Sequence, residues 1–398
     1  MAVIYGNRST ENVLQSNRWR DIAPVIYNLR PDETPFSVLI SKIRKSMTVD
    51  PKFEWFGKEP RSDADAVNNG AGYAAGATSI VVDNADKFLP GDLVRVIDGT
   101  TGAYEELMRV TAVVTGTNTL TVERGVGSTS AGAIADDDIL LIVGDAQPEG
   151  SDIPDGLSQL ATEYYNYTQI FRTSSEYTRT FLQTKLRADD SEVKRRREEK
   201  SREHKRKIEK MLFWGERGIS GAGGAAPNRK SGGLYWFIQQ AIAGGVDNTQ
   251  SQSGGTMTEV QLETFLETKA FEYGGKEKMA FCSPRVISVI NNLHRGKIEL
   301  TNMVNEFGIN IVKWHSPHGT LNFVRHKLFN YGIFEKAMMV VDMDEVSLRY
   351  VGDSDMQFRT DIGVEGQDSY TDDWLSEVGL MVQRPETLAL LTNVNAAA

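Results

Sequence analysis

The sequence predicts an α+β chain of several parts, and three observations carry the prediction. Residues 72–144 hold short β-branched runs separated by Gly, Asp, Asn and Thr clusters, the texture of a small all-β module. Residues 185–214 read as one long charged helix, with Pro and Gly absent from 191 to 214. The remainder alternates buried strand patterns with amphipathic helices. At 398 residues, two or three sub-domains are expected, with core enough to need no covalent staples.

Residues 1–50 read as an arm. Pro24, Pro31 and Pro35 divide "RWRDIAPVIYNLRPDETPFSVLISKIRK" into short amphipathic pieces, because each proline removes an amide donor and disfavours helix in the residue before it. Such a segment forms no core of its own. Phe36, Val38, Leu39 and Ile40 are therefore expected to pack on the rest of the chain or on another subunit, and are candidate contact residues. "KFEWFG" alternates as a strand, and "EPRSDADAVNNGAG" reads as loop.

Within 72–144 the strands are "TSIVVD", "DLVRVID", "ELMRVTAVV", "TLTVERG" and "DILLIVG", predicting a barrel or a tight meander. After the linker "GDAQPEGSDIPDG", a strand spans about 162–174, and helix signals follow as far as Gly215, with Asp189, Asp190 and Ser191 capping the long part. "LYWFIQQAI" is a short helix. "TEVQLETFLETKAFEYG" is a second, with Val260, Phe265, Leu266 and Phe271 near one face. "EKMAFCSPRVISVINNLH" is a buried strand turning at Ser283-Pro284 into a helix, and "INIVKWHSPHGTLNFVRH" is a hairpin with "SPHG" as its turn. "KAMMVVDMDEVSLRYV" is a further strand with a turn, and two strands around Arg384-Pro385 close the chain.

The net charge of −10 argues against a bulk polyanion binder and leaves room only for a local basic patch. That patch lies in 185–210, which holds 12 Lys and Arg against 7 Asp and Glu. Interleaved acids support a solvated helix through i,i+4 pairs worth roughly 0.2–0.5 kcal/mol each. Its sparse apolar positions, Val193, Ile208 and Leu212, let little of it be buried. The reading is a strut with one basic face, whose candidate phosphate-facing residues are Lys194, Arg195, Arg196, Arg202, Lys205 and Arg206.

No reactive constellation stands out. "GAAPNRKS" lacks the second glycine of a phosphate loop and has Pro227 within it. His315, His318 and His326 lie near a turn without a fourth metal partner. "SDADAVNNG" puts Val67 where a calcium loop needs an oxygen ligand. Cys282, the single cysteine, sits in an apolar strand where a thiol ionises poorly. No metal, cofactor or catalytic residue is assigned, and a binder or builder is expected rather than an enzyme. No apolar run approaches the ~20 residues of a membrane span and no signal-peptide pattern opens the chain, so a soluble protein made in the cytosol is expected.

The order of these pieces resembles the major capsid protein of tailed bacteriophages, the Hong Kong 97-type fold. "YYNYTQIFRTSSEYTRTF" resembles the returning strand of that family's extended loop, leading into a spine helix at roughly 185–214. "RKSGGLYWFIQQA" resembles the segment after the spine helix, and "KMAFCSPRVISVINNL" the strand–Ser-Pro–helix step of the axial domain. "INIVKWHSPHGTLNFVRHKLF" followed by "KAMMVVDMDEVSLRYV" resembles the axial hairpin and the strand returning to the peripheral domain.

The resemblance implies an arm at 1–50 and an extended loop at 51–175 carrying the β insertion at 72–144. It implies a peripheral domain at 176–255 and 345–398, and an axial domain at 256–344. It further implies a head subunit that self-assembles through hexamers and pentamers into an icosahedral shell around double-stranded DNA, held non-specifically. Scaffolding (separate or none), portal and cement proteins would be its partners, with assembly in the host bacterial cytoplasm and residence in the virion. The competing readings are a tail-associated or DNA-binding phage protein and an encapsulin-like shell.

Overall fold

The computed structural model describes residues 34–58, 62–147, 149–150, 158, 160–184, 192–252, 257–293, 301–306, 309–330, 332–363 and 366–395. The chain divides into two compact units, residues 1–55 with 164–398, and residues 56–163. The cap expected at Asp189, Asp190 and Ser191, and most of the arm, fall outside the described residues.

The larger unit contains two main sheets. The first runs Lys45–Thr48, Val346–Val351, Ser369–Val382, Gln169–Thr178, with Gln357–Arg359 also pairing the third of these. Its first pair is parallel and the others antiparallel. Gln169–Thr178 alternates without a break: Phe171, Thr173, Ser175 and Tyr177 face inward while their neighbours are exposed. The strand therefore outlasts its expected end near 174. The period of two continues through Ser175 and Tyr177, and Thr178 then caps a short helix, Arg179–Gln183, by accepting from Phe181 N at 3.3 Å.

The second sheet has seven strands, in the order Thr249–Ser251, Ala389–Thr392, Met338–Val341, Glu277–Cys282, Thr320–Arg325, Ile309–His315, Thr301–Glu306. Glu277–Cys282 is buried at every position after the first, which explains its unalternating composition. Ser283 Oγ accepts from Val286 N at 3.2 Å and Pro284 takes the first helical position, so the chain turns directly into the helix Pro284–Leu293. Ser316 and Gly319 exchange backbone hydrogen bonds in the hairpin turn. The closing strand Ala389–Thr392 pairs antiparallel with Met338–Val340 in this sheet.

The helix Glu259–Phe265 opens on a capping box between Thr258 and Gln261 and continues as a π-helical turn, Leu266–Ala270. Leu262, Phe265, Leu266 and Ala270 are its buried face. Val260, expected inside, is 71% exposed, because two residues of helix rotate it away from Leu262.

The smaller unit has six antiparallel strands in the order Ala64–Ala66, Ile139–Asp145, Asp92–Ile97, Tyr104–Val114, Thr119–Glu123, Ser79–Val81. The two ends of this sheet meet: Val67 and Val82 form an antiparallel bridge, with Asn68 N donating to Val81 O at 3.0 Å and Asp83 N to Ala66 O at 3.1 Å. The expected loop at 62–70 thus supplies the closing strand of a small barrel. Its buried Asp65 takes Lys87 Nζ and the amide of Asn84, both at 2.7 Å. Ile80, Val94, Val96, Met108, Leu120 and Leu140 fill the interior. Among the described residues, no helix is long and apolar enough to cross a membrane.

Candidate functional site on the long helix

The long helix spans Glu192–Trp214, and its Lys, Arg and Glu content favours helix without needing burial. It ends at Gly215, whose amide bonds Met211 O at 2.8 Å and whose position leaves no room for a Cβ against Ser231 O and Met211 O.

Its open surface carries Lys194, Arg196, Arg202, Lys205, Lys207 and Lys210, with Glu198 as the single acid among them. The other acids turn aside. Glu192 pairs with Arg195 and, at 3.3 Å, with Arg196; Glu199 pairs with Arg195 at 2.8 Å; Glu203 pairs with Lys200 at 2.8 Å and Lys207 at 3.2 Å. Arg196 and Lys207 are thereby offset by acids of the helix itself. Of the six predicted basic residues, Lys194, Arg196, Arg202 and Lys205 are on the open face, while Arg195 and Arg206 are half-buried on its flank. Lys207 and Lys210 are exposed as well, although neither was among the six, and Lys207 Nζ also donates to Thr173 Oγ at 3.1 Å on the sheet side.

The opposite side rests on the first sheet through polar contacts. His204 lies between Ser376 Oγ, 2.8 Å from Nε2, and Thr173 Oγ, 3.1 Å from Nδ1. Burial first, and then the Lys207 charge, push its pKa from 6.5 down to about 4, so the ring is neutral at pH 7. Arg197 Nε bonds the buried Asp372 at 2.7 Å, and Arg172 bonds the buried Asp373 at 2.6 Å.

One acid on the helix is wholly buried. Glu209 accepts from Phe36 N at 2.9 Å, Ser37 N at 2.7 Å and His326 Nε2 at 2.8 Å. His326 Nδ1 accepts from Leu328 N at 3.1 Å, which fixes the proton on Nε2. Phe36 and Ser37 open the helix Pro35–Ile43, where Thr34 makes no side-chain cap, so the long helix supplies the missing cap in trans. Phe36 then packs 4.8 Å from Phe213 and 5.0 Å from Phe281, ring to ring. Phe36 and Ile40 are therefore covered by the chain's own core and offer no surface to a neighbour; Val38 is half-buried and the Leu39 side chain lies outside those described. The sequence signal for Glu209 was a carboxylate set between Ile208 and the apolar run Met211-Leu212-Phe213.

The other candidates stay apart. His326 serves Glu209, and His315 Nδ1 lies 3.0 Å from Thr320 Oγ. Among the described residues, no group of His, Cys, Asp or Glu is placed to hold a metal. Cys282 is buried and its thiol pKa is pushed up by that burial.

Comparison with known proteins adds family to this geometry. The family model for the SU10 major capsid protein matches residues 6–395. The major capsid protein of Pseudomonas phage PaMx41 is 26% identical over 346 residues, covering 81% of this chain and 80% of that protein. Among solved structures, the capsid of the native GTA particle is 8% identical and covers 97% of this chain and 98% of its own, at a TM-score of 0.51. Gordonia phage Cozz is 10% identical, covering 95% and 91%, at a TM-score of 0.49. The fold is of the Hong Kong 97 type. The chain belongs to the SU10 major capsid protein family and is a structural subunit of a bacteriophage capsid shell.

Proposed function

We propose that the open face of the long helix lines the inside of the shell and holds packaged double-stranded DNA without sequence preference. The observation that carries this is the cationic excess on the exposed surface of the helix: Lys194, Arg202, Lys205 and Lys210 are exposed beside Glu198, while Glu192 pairs with Arg196, Glu203 with Lys207 and Glu199 with Arg195, and Glu209 is buried. Phosphates attract such a face by counterion release, a term indifferent to sequence. On this reading the first sheet with the long helix forms the peripheral domain, the seven-stranded sheet centres the axial domain, and the barrel rides in the extended loop. Copies assemble as hexamers and pentamers in the host cytoplasm, with no enzymatic step assigned to the chain.

The test is a Lys194→Gln/Arg202→Gln/Lys205→Gln chain, compared with wild type in shell yield and in DNA binding against salt. Shells are expected at normal yield. The slope of log affinity against log salt is expected to shrink by about 2–3 for three lost phosphate contacts. An unchanged slope and an unchanged DNA content in assembled particles would place the DNA elsewhere.

A further inference from the structure

A small cleft opens beside the start of the strand Gln169–Thr178, where a short antiparallel ribbon, Gly218–Ser220 with Asn228–Lys230, lies against the first sheet. It encloses about 220 Å³ and is lined by Thr168, Ile170, Pro227, Asn228, Arg229 and Glu377. That volume falls below the ~300–1,000 Å³ of pockets for drug-sized ligands, so only a small guest fits. The lining is set before any guest arrives. Ile170 and Glu377 are a cross-strand pair, which puts both side chains on one face of the sheet. Thr168 is buried, and its hydroxyl donates to Glu377 Oε1 at 2.9 Å. The ribbon is pinned just beyond Lys230, where the buried Ser231 Oγ accepts from Asn166 Nδ2 at 3.2 Å and from Leu380 N at 3.3 Å. Arg229 stands two residues before that anchor, opposite Ile219.

The two charged residues of the cleft do not satisfy each other. Arg229 is half-buried, yet its guanidinium has no hydrogen bond and no ion pair among the described residues. Glu377, also half-buried, has only the Thr168 hydroxyl on its carboxylate among those residues. A planar guanidinium fork calls for a carboxylate or a phosphate. An anion without a cationic group would meet Glu377, and a cation without an anionic group would meet Arg229. A guest that carries both charges satisfies both. We infer that this cleft binds a small zwitterionic amino acid, its carboxylate on Arg229, its ammonium on Glu377, and a short aliphatic side chain against Ile170 and Pro227. The assignment of the chain as a shell subunit leaves these residues unused, and the inference does not depend on it.

Saturation-transfer NMR on the dispersed full-length chain tests it with probes of one shape. L-alanine carries both charges; L-lactate has a hydroxyl in place of the ammonium, and isopropylamine a methyl in place of the carboxylate. L-alanine is expected to saturate with a dissociation constant of about 1–10 mM, the range open to so few contacting atoms. Each singly charged probe is expected to bind about tenfold more weakly, because it forfeits one charge-assisted contact. Arg229→Gln and Glu377→Gln are each expected to weaken L-alanine by a similar factor while keeping a cooperative melt. Absence of a saturable L-alanine signal overturns the inference. L-lactate binding as tightly as L-alanine also overturns it, by making the cleft a site for anions alone. L-alanine binding unchanged in Arg229→Gln places the amino acid elsewhere and overturns it too. The probe series runs on the wild-type chain, so it decides the matter even where a variant fails to fold.

Discussion

Glu209 on the long helix accepts a hydrogen bond from His326 Nε2 at 2.8 Å, and neither side chain touches solvent. The same carboxylate holds the first turn of the helix Pro35–Ile43, so one acid joins three distant stretches of chain. Replacing it with Ala strands two amides and an imidazole N–H. Glu209→Ala is expected to cost about 2–4 kcal/mol in urea unfolding, with faster amide exchange at Phe36 and Ser37. Unaltered exchange there would mean that the arm helix is held by its aromatic packing alone.

His204 gives a pH dependence whose sign follows from its environment. Its folded-state pKa of about 4 lies below the ordinary 6.5, so the folded chain resists protonation. Stability is complete above pH 6.5 and declines by up to about 3 kcal/mol as pH falls from 6.5 towards 4. The melting temperature of dispersed subunits is expected to drop across that window in wild type, and to drop less in His204→Gln. Parallel curves for the two chains would assign the acid lability to other groups.

In the barrel, Arg124 Nη2 meets Glu106 at 2.6 Å with both side chains buried. Burial raises the Glu106 pKa, but the hydrogen bonds from Arg124 and the amides of Gly125 and Gly132 outweigh it and hold the carboxyl below its usual value. Arg124→Met leaves that charge unpaired and is expected to cost about 3–5 kcal/mol, read as loss of exchange protection over 104–123. The wild-type contribution is present above the ordinary carboxyl pKa and is lost as pH falls through the lowered one.

Gly233 opens the helix Leu234–Ala243 where it crosses the end of the long helix. A Cβ there would run into Met211 O and sit 2.8 Å from Gly215 N, both backbone atoms that cannot step aside. Gly233→Ala is expected to yield little soluble protein, or a melting point lowered by the equivalent of about 2–4 kcal/mol.

Most strands of the barrel were legible in the sequence because each alternates within a few residues, and local alternation needs no knowledge of partners. The long helix was legible for the same reason. What escaped depends on contacts far along the chain. Ala64–Ala66 is too short and polar to announce a strand until Val82 bridges beside it. Ala389–Thr392 reads as a strand but not as a neighbour of Met338–Val341. On the helix Glu259–Phe265, Val260 and Leu262 compete for the inner face, and only the packed core selects Leu262. The basic face was visible as composition. That its acids turn aside was not, since pairing depends on which side of the helix meets the sheet.

The bridge between Val67 and Val82 bears on how subunits behave before they are built into a shell. During an infection, many identical chains crowd together with their surfaces still uncovered, and an open sheet edge would let them stitch into amyloid-like stacks. Closing the barrel on itself withdraws that template. What one barrel can offer another molecule is then side chains rather than backbone, so sticking in the wrong place is reversible and growth errors can be corrected by dissociation.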